Sequence, residues 1–292
     1  MPNPKMSEIE SPAIPAFRRG LPEAVRGSGI VVLLRSILEH RGLVKELARR
    51  EMTDVHVGQA GGALWVIVHP IVLFAVYAFL FTTVFKVRIG ERGPSDYMVY
   101  LFAGLAPWLM TQDVLSRATG IMFANSTIVK KVMFPVEALV AKTIFAALKV
   151  QGVLFIIVIA YVIIVREEVP WTMALLPVLL LLHVVLLWGL ALFLSVMAPY
   201  FRDLSEFMRI FLVINIYLIP VMYVPNMVPE ALRFVLVVNP FSHLIWCYQD
   251  LIYFQSIAHP VSWGVVAFIS GGAVLLGSCV FIRLRSHLAS VV

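Results

Sequence analysis

The sequence predicts an all-α integral membrane protein with six transmembrane helices, an N-terminal amphipathic interface helix and a re-entrant helical hairpin on the outer face between spans five and six. Three observations lead there. Hydrophobic residues make up 61% of the 292 positions and charged residues only 14%, well outside the range of soluble domains. Apolar runs of about 20 residues, enough to cross about 30 Å of hydrocarbon as helix, recur along the chain. Lys and Arg also alternate between loops: with the N-terminus cytoplasmic, only five of the 23, namely Lys86, Arg88, Arg92, Arg166 and Arg233, fall on the outer side. That asymmetry is the positive-inside rule. The net charge of +6 therefore reports topology and contact with anionic membrane lipids, and nucleic acid is not an expected partner.

Residues 1–29 are rich in Pro, Gly and charge and lack an apolar segment, so they read as a disordered cytoplasmic tail rather than a signal peptide or a span. Residues 30–57 interleave Leu34, Ile37, Leu38, Val44 and Leu47 with Arg35, Arg41, Lys45, Arg49 and Arg50. That spacing suits an amphipathic helix in the headgroup layer, the alternative being a soluble helix packed on a partner. The remainder, 58–292, forms the membrane unit, with spans expected near 64–85, 97–120, 143–165, 174–197, 207–225 and 261–282. Between the last two, the uncharged run 234–249 has only 16 residues and is interrupted by Asn239-Pro240. If it crossed, Arg283 and Arg285 would lie outside, so a re-entrant hairpin is expected, its backbone buried in protein or lining a wet cavity.

Between spans two and three lies a polar interlude, "NSTIVKKVMFPVEALVAK" (125–142). Asn125 or Ser126 is placed to cap a short helix, Pro135 suits the first turn of a second, and Glu137 falls near that helix's positive end. Two short helices meeting at Phe134-Pro135 would present Lys130 and Lys131 on one side and Glu137 on the other. Such a knuckle is either a docking surface for another protein or a solvated loop.

The chain shows no catalytic constellation. Cys247 and Cys279 stand alone without ligand spacing, so no metal is expected, and no G-x-x-x-x-G-K-[ST] phosphate cradle is present. Glu167 and Glu168 read as a solvated cap in an outer loop. Asp113 and Arg117, four apart on span two, read as a helical ion pair. His69, His183 and His243 lie in apolar surroundings, where a neutral ring with a backbone partner is expected. Phe74, Tyr77, Phe81 and Phe85 recur along one stripe of span one, and Tyr217 and Tyr223 lie in and after span five. Aromatic faces with a polar tip stack on sugar rings, or they simply pack against helices and lipid.

Taken in order, "VGQAGGALWVIVHPIV" (57–72), "YLFAGLAPWLMTQDVLSRAT" (100–119), "NSTIVKKVMFPVEAL" (125–139), "APYFRDLSEF" (198–207) and "MVPEALRFVLVVNPFSHLI" (227–245) resemble the permease subunit of type-2 ATP-binding-cassette (ABC) exporters. The resemblance covers about residues 33–288. It is nearest the bacterial branch that exports lipid-linked polysaccharides such as O antigen, capsule or teichoic acid. "VNPFS" stands where "LNPLT" is more usual, and the stretch before Trp65 is richer in glycine than the common form.

The resemblance implies a homodimeric permease in the bacterial inner membrane with both termini cytoplasmic. Two copies of a separate ATPase would bind ATP and Mg, and this chain would carry neither cofactor nor enzymatic activity. It further implies ATPase coupling through Lys130, Lys131, Phe134, Pro135 and Glu137, braced by Arg202 and Asp203. A substrate channel would be lined by Trp65, Phe74, Tyr77, Phe81, Tyr217 and Tyr223, and an outer gate formed by Pro229, Glu230, Asn239 and Pro240. The rival readings are a permease for a small hydrophobic drug or lipid, and, in a different class, an ion-coupled carrier or a membrane glycosyltransferase.

Overall fold

The computed structural model describes residues 33, 35–36, 38–54, 64–87, 89–90, 93–130 and 135–292. The expected tail 1–29, together with Lys131 and Phe134, lies outside the described residues. Among those described the fold is all helical.

Among the described residues, four helical stretches are long and apolar enough to span a membrane. They are α3 (Pro94–Ala124), α5 (Glu137–Arg166), α6 (Leu176–Met197) with its one-turn lead Trp171–Leu175, and α10 (Pro260–Leu284) with the turn Arg285–His287. They contain the expected spans 97–120, 143–165, 174–197 and 261–282. The chain is therefore a multi-pass membrane protein. Helix α3 is central: from Asp96 to Trp108 every residue except Met98 is buried.

The first expected span is α2 (Trp65–Phe79), continued by a π-turn over Leu80–Val84 in which Phe85 N–H bonds to the Leu80 carbonyl at 2.8 Å. It lies loosely on the bundle, with Ile71, Val72, Val76 and Phe79 exposed.

The fifth expected span differs from the sequence expectation. Helix α7 (Leu204–Asn215) has 12 residues, a rise of about 18 Å, and gives way to turns over 216–224. Pro220 and Pro225 withdraw two backbone donors and disfavour helix in the residues before them. Irregular backbone is tolerated at membrane depth only where protein satisfies it, and here the neighbours do. Tyr97 Oη donates to the Met222 carbonyl (2.7 Å), and Tyr100 Oη to the carbonyls of Pro220 (3.0 Å) and Tyr223 (3.1 Å). Gln249 Nε2 also donates to Pro220 (2.7 Å).

The segment expected to be re-entrant consists of α8 (Arg233–Val238), with a preceding turn Glu230–Leu232, and α9 (Pro240–Gln249), extended by a π-turn Asp250–Phe254. The two halves meet at 90°. Asn239 makes the corner: its side-chain oxygen accepts from Phe241 N–H (3.0 Å), capping α9, while Pro240 occupies the first helical position, where its missing donor costs nothing. Asn239 Nδ2 also donates to Asn215 Oδ1 (2.7 Å), tying the corner to the end of α7. A 90° bend excludes one straight span and fits either a re-entrant hairpin or a broken span.

Helices α6 and α10 pack against each other backbone to backbone. A Cβ at Gly277 would collide with the Gly189 carbonyl, and one at Gly189 with the Ala273 backbone. Small residues that let helix axes approach this closely are a recurrent basis of association in lipid, where apolar burial supplies no drive. Ser270 Oγ adds a bond to the Leu182 carbonyl at 3.0 Å. Substituting Gly277 by Ala is expected to cost about 1–3 kcal/mol through overpacking, read as a lowered midpoint of thermal unfolding in detergent, whereas Ala at the open Gly272 leaves the midpoint within a degree or so of the parent's.

Candidate functional site: a groove, a knuckle and a polar knot

Helices α2, α3, α5 and α7 enclose a groove of about 530 Å³. Three of the aromatic residues proposed from sequence as a channel line it: Trp65, Tyr77 and Tyr217. The others lie elsewhere. Phe74 is only 4% exposed and stacks on Phe102 with centroids 4.6 Å apart, so in this chain it is a packing residue. Phe81 lies among Tyr77, Phe85 and Tyr97. Tyr223 donates its hydroxyl to the Tyr217 carbonyl at 2.7 Å, bracing the turns after α7.

The groove adds residues the aromatic pattern did not reveal. His69 is exposed at its mouth, Gln112 and Gln151 face it from α3 and α5, and the Asp113–Arg117 pair closes as expected, Nε to Oδ1 at 2.8 Å. The lining is an apolar trough with a polar strip, the shape and chemistry that accommodate an amphiphile. A strip of amides and one ion pair on two helices gives no sequence signal until the two helices are known to face each other.

At one end of the groove's helices, α4 (Ser126–Val129) forms the first half of the expected knuckle. Asn125 precedes it, but its amide turns back and donates to the Ile121 carbonyl (2.8 Å) instead of capping. Pro135 stands two residues before α5, with its carbonyl accepting from Ala138 N–H (2.9 Å), rather than inside the first turn. Lys130, Arg202 and Asp203 are exposed, as a docking rim requires.

Glu137 corrects the expectation. It is 4% exposed, and its carboxylate lies 3.6 Å from Arg285 Nη1, so it joins the knuckle to the end of α10 rather than presenting charge to a partner. Two further contacts fix this end. Helix α1 (Arg41–Asp54) packs Val44 against Ala138 and Ala141, with Trp188 beside them. The closing turn α11 (Leu288–Val291) lies against α4, with Leu288 fully buried.

Of the residues expected to form an outer gate, Pro229 and Glu230 are exposed, Glu230 lies 3.7 Å from Arg233, and Asn239 and Pro240 form the corner. Behind them is a polar knot that sequence reasoning missed. Asp250 is fully buried, and its carboxylate accepts from His259 Nδ1 (2.7 Å), His259 N–H (3.1 Å) and Trp263 Nε1 (3.2 Å). The His259 ring stacks on Trp246 at 5.3 Å. Beside it, Arg166 Nη2 meets Asp96 Oδ1 at 3.3 Å and Nη1 donates to the Tyr253 carbonyl at 2.7 Å. The available signal was Asp250 itself, an ionisable residue between apolar runs.

The histidines differ in their partners. His243 bonds the Val237 carbonyl (2.8 Å), the backbone partner expected, and Ser262 Oγ (3.0 Å). His183 lies between Thr111 Oγ1 (2.9 Å) and Tyr248 Oη (3.2 Å), two side chains on other helices. Among the described residues no cluster of His, Cys, Asp or Glu is placed to hold a metal.

Replacing Asp250 by Ala removes the acceptor shared by the half-buried His259 and Trp263 donors, at about 1 kcal/mol for each hydrogen bond lost. The expected outcome is a clear drop in thermal stability with earlier proteolytic cleavage near the α8–α9 corner, and a smaller loss for Asp250→Asn.

Comparison with known proteins completes the description of the site. A family model described as ABC-2 type transporter matches residues 42–253, from α1 through the π-turn after α9. The chain is 25% identical over 240 residues to an O-antigen export system permease protein RfbA from Klebsiella pneumoniae, covering 79% of this chain and 87% of the relative. It is 23% identical over 266 residues to a protein of the same name from Myxococcus xanthus, covering 89% and 99%.

Proposed function

Because the chain belongs to the ABC-2 type transporter family, we propose that it is the membrane permease subunit of an exporter for a polyprenyl-linked polysaccharide of the O-antigen class. Similarity to O-antigen export permeases over most of both chains carries this reading, and the amphipathic groove supports it.

Two copies enclose the path, with α2 and α7 facing the second copy. Their exposed apolar faces, including Val72, Val76, Phe207, Ile210 and Val213, suit burial against such a neighbour. In that assembly α2 with its π-turn and α7 with the turns after it complete a six-span topology, the α8–α9 hairpin re-enters from the outer face, and both termini stay in the cytoplasm of the bacterial inner membrane. Two copies of a separate ATPase bind ATP and Mg and dock beneath the α4–α5 loop, where Lys130, Lys131, Phe134 and Pro135 make the contact and Arg202 and Asp203 brace it. The lipid carrier and its first sugars enter the groove past Trp65, Tyr77 and Tyr217, and leave beside the corner formed by Asn239 and Pro240.

The test is genetic and biochemical. Deleting the gene in its host is expected to abolish the surface polysaccharide while lipid-linked glycan accumulates inside. A wild-type copy restores export, and the tagged chain copurifies with a P-loop ATPase. Unchanged surface glycan with no retained ATPase would sink the proposal. Lys130→Glu is expected to lose the ATPase from a chain that still folds, whereas Glu137→Lys is expected to lower thermal stability by placing a second cation beside Arg285.

A further inference from the structure

We propose that Gln151 is the groove's hydrogen-bonding contact for a hydroxyl-bearing head group, the first sugar of the exported amphiphile; this rests on the export reading above. Gln151 stands in the wall of the groove on α5 and is 1% exposed. Among the described residues it is the only side chain with two buried polar atoms, its amide nitrogen and its amide oxygen, that both lack a hydrogen-bond partner. Buried polar groups in folded proteins are nearly always paired, and a stranded one destabilises the chain that holds it. The geometry therefore points to a partner outside the chain.

The chemistry of that partner follows from the donor and acceptor inventory. A carboxamide both donates and accepts, and so do a hydroxyl and an acetamido group. A fully ionised phosphate only accepts and would leave the Gln151 carbonyl unmatched. Apolar Ala147 and Leu154, one turn away on either side along α5, line the same groove. They offer no competing polar contact on the α5 wall, so a head group that meets that wall at this level meets the amide of Gln151, with Gln112 and Asp113 on the α3 side. Tyr77 and Tyr217, on the α2 and α7 sides of the groove, add the aromatic faces that sugar rings favour. In the proposed complex the Gln151 side chain turns about its own bonds so that the amide reaches the groove surface.

The test uses the permease with its ATPase in phosphatidylcholine nanodiscs. Binding is read by native mass spectrometry for three probes: a polyprenyl diphosphate carrying one N-acetylhexosamine, the sugar-free polyprenyl diphosphate, and phosphatidylglycerol as a hydroxyl-bearing bilayer lipid. Wild type is expected to prefer the sugar-bearing lipid over the sugar-free one by about tenfold, the effect of one well-made hydrogen bond. Gln151→Leu is expected to erase that preference, to leave sugar-free binding unchanged, and to raise the melting temperature of the lipid-free complex by removing the stranded amide.

A retained preference in Gln151→Leu overturns the proposal. So does an equal loss for both polyprenyl lipids, which marks a structural role, or a Gln151-dependent preference seen only with phosphatidylglycerol. Equal binding of both polyprenyl lipids by wild type removes the Gln151 assignment and leaves the export reading standing. If an ATP-hydrolysing wild-type complex binds neither, the export reading falls and takes the assignment with it.

Discussion

In a hydrocarbon slab every backbone N–H and C=O must find its partner within protein, and this fold is organised around two places where a span-length apolar segment stops being helical. After Asn215 the chain turns through 216–224, and its carbonyls are met by Tyr97 and Tyr100 from α3 and by Gln249 from α9. At Asn239 the chain bends, and one asparagine caps α9 with its oxygen while its nitrogen reaches Asn215. Helix α3, buried from Asp96 to Trp108 except at Met98, and α9, buried from Phe241 to Gln249, carry the polar groups that make the first of these breaks tolerable.

Around these breaks the bundle divides by stiffness. Helices α6 and α10 meet backbone to backbone at Gly189 and Gly277, a contact with no room for adjustment. On the other side α2 and α7 lie loosely, with apolar faces outward, and the groove opens between them and the central helices.

The two ends are fixed differently. The knuckle is held by Glu137 against Arg285, by the apolar seat under α1 and by Leu288 beneath α4, so it touches α1, the start of α5 and the turns after α10 together. The opposite end is held by the Asp250 carboxylate with His259 and Trp263 and by Arg166 with Asp96. In each case a buried carboxylate is matched by a cation or by N–H donors, which offsets the cost of taking its charge out of water.

The sequence by itself determined what depends on near neighbours. The long spans follow from uninterrupted apolar runs, the corner from Asn239-Pro240, and the ion pair of Asp113 with Arg117 from four-residue spacing on a helix. Tertiary structure decided the rest. The fifth apolar run contains Pro220, but where α7 stops depends on phenols and an amide supplied by α3 and α9. Glu137 looked like a surface charge because its partner Arg285 lies at the far end of the chain. Phe74 shared a stripe with Tyr77, yet a small rotation around α2 separates a ring stacked on Phe102 from one facing the groove. Gln151 was invisible for the same reason: local periodicity tells which residues share a face, whereas whether a polar atom on that face is paired depends on helices that only folding brings alongside.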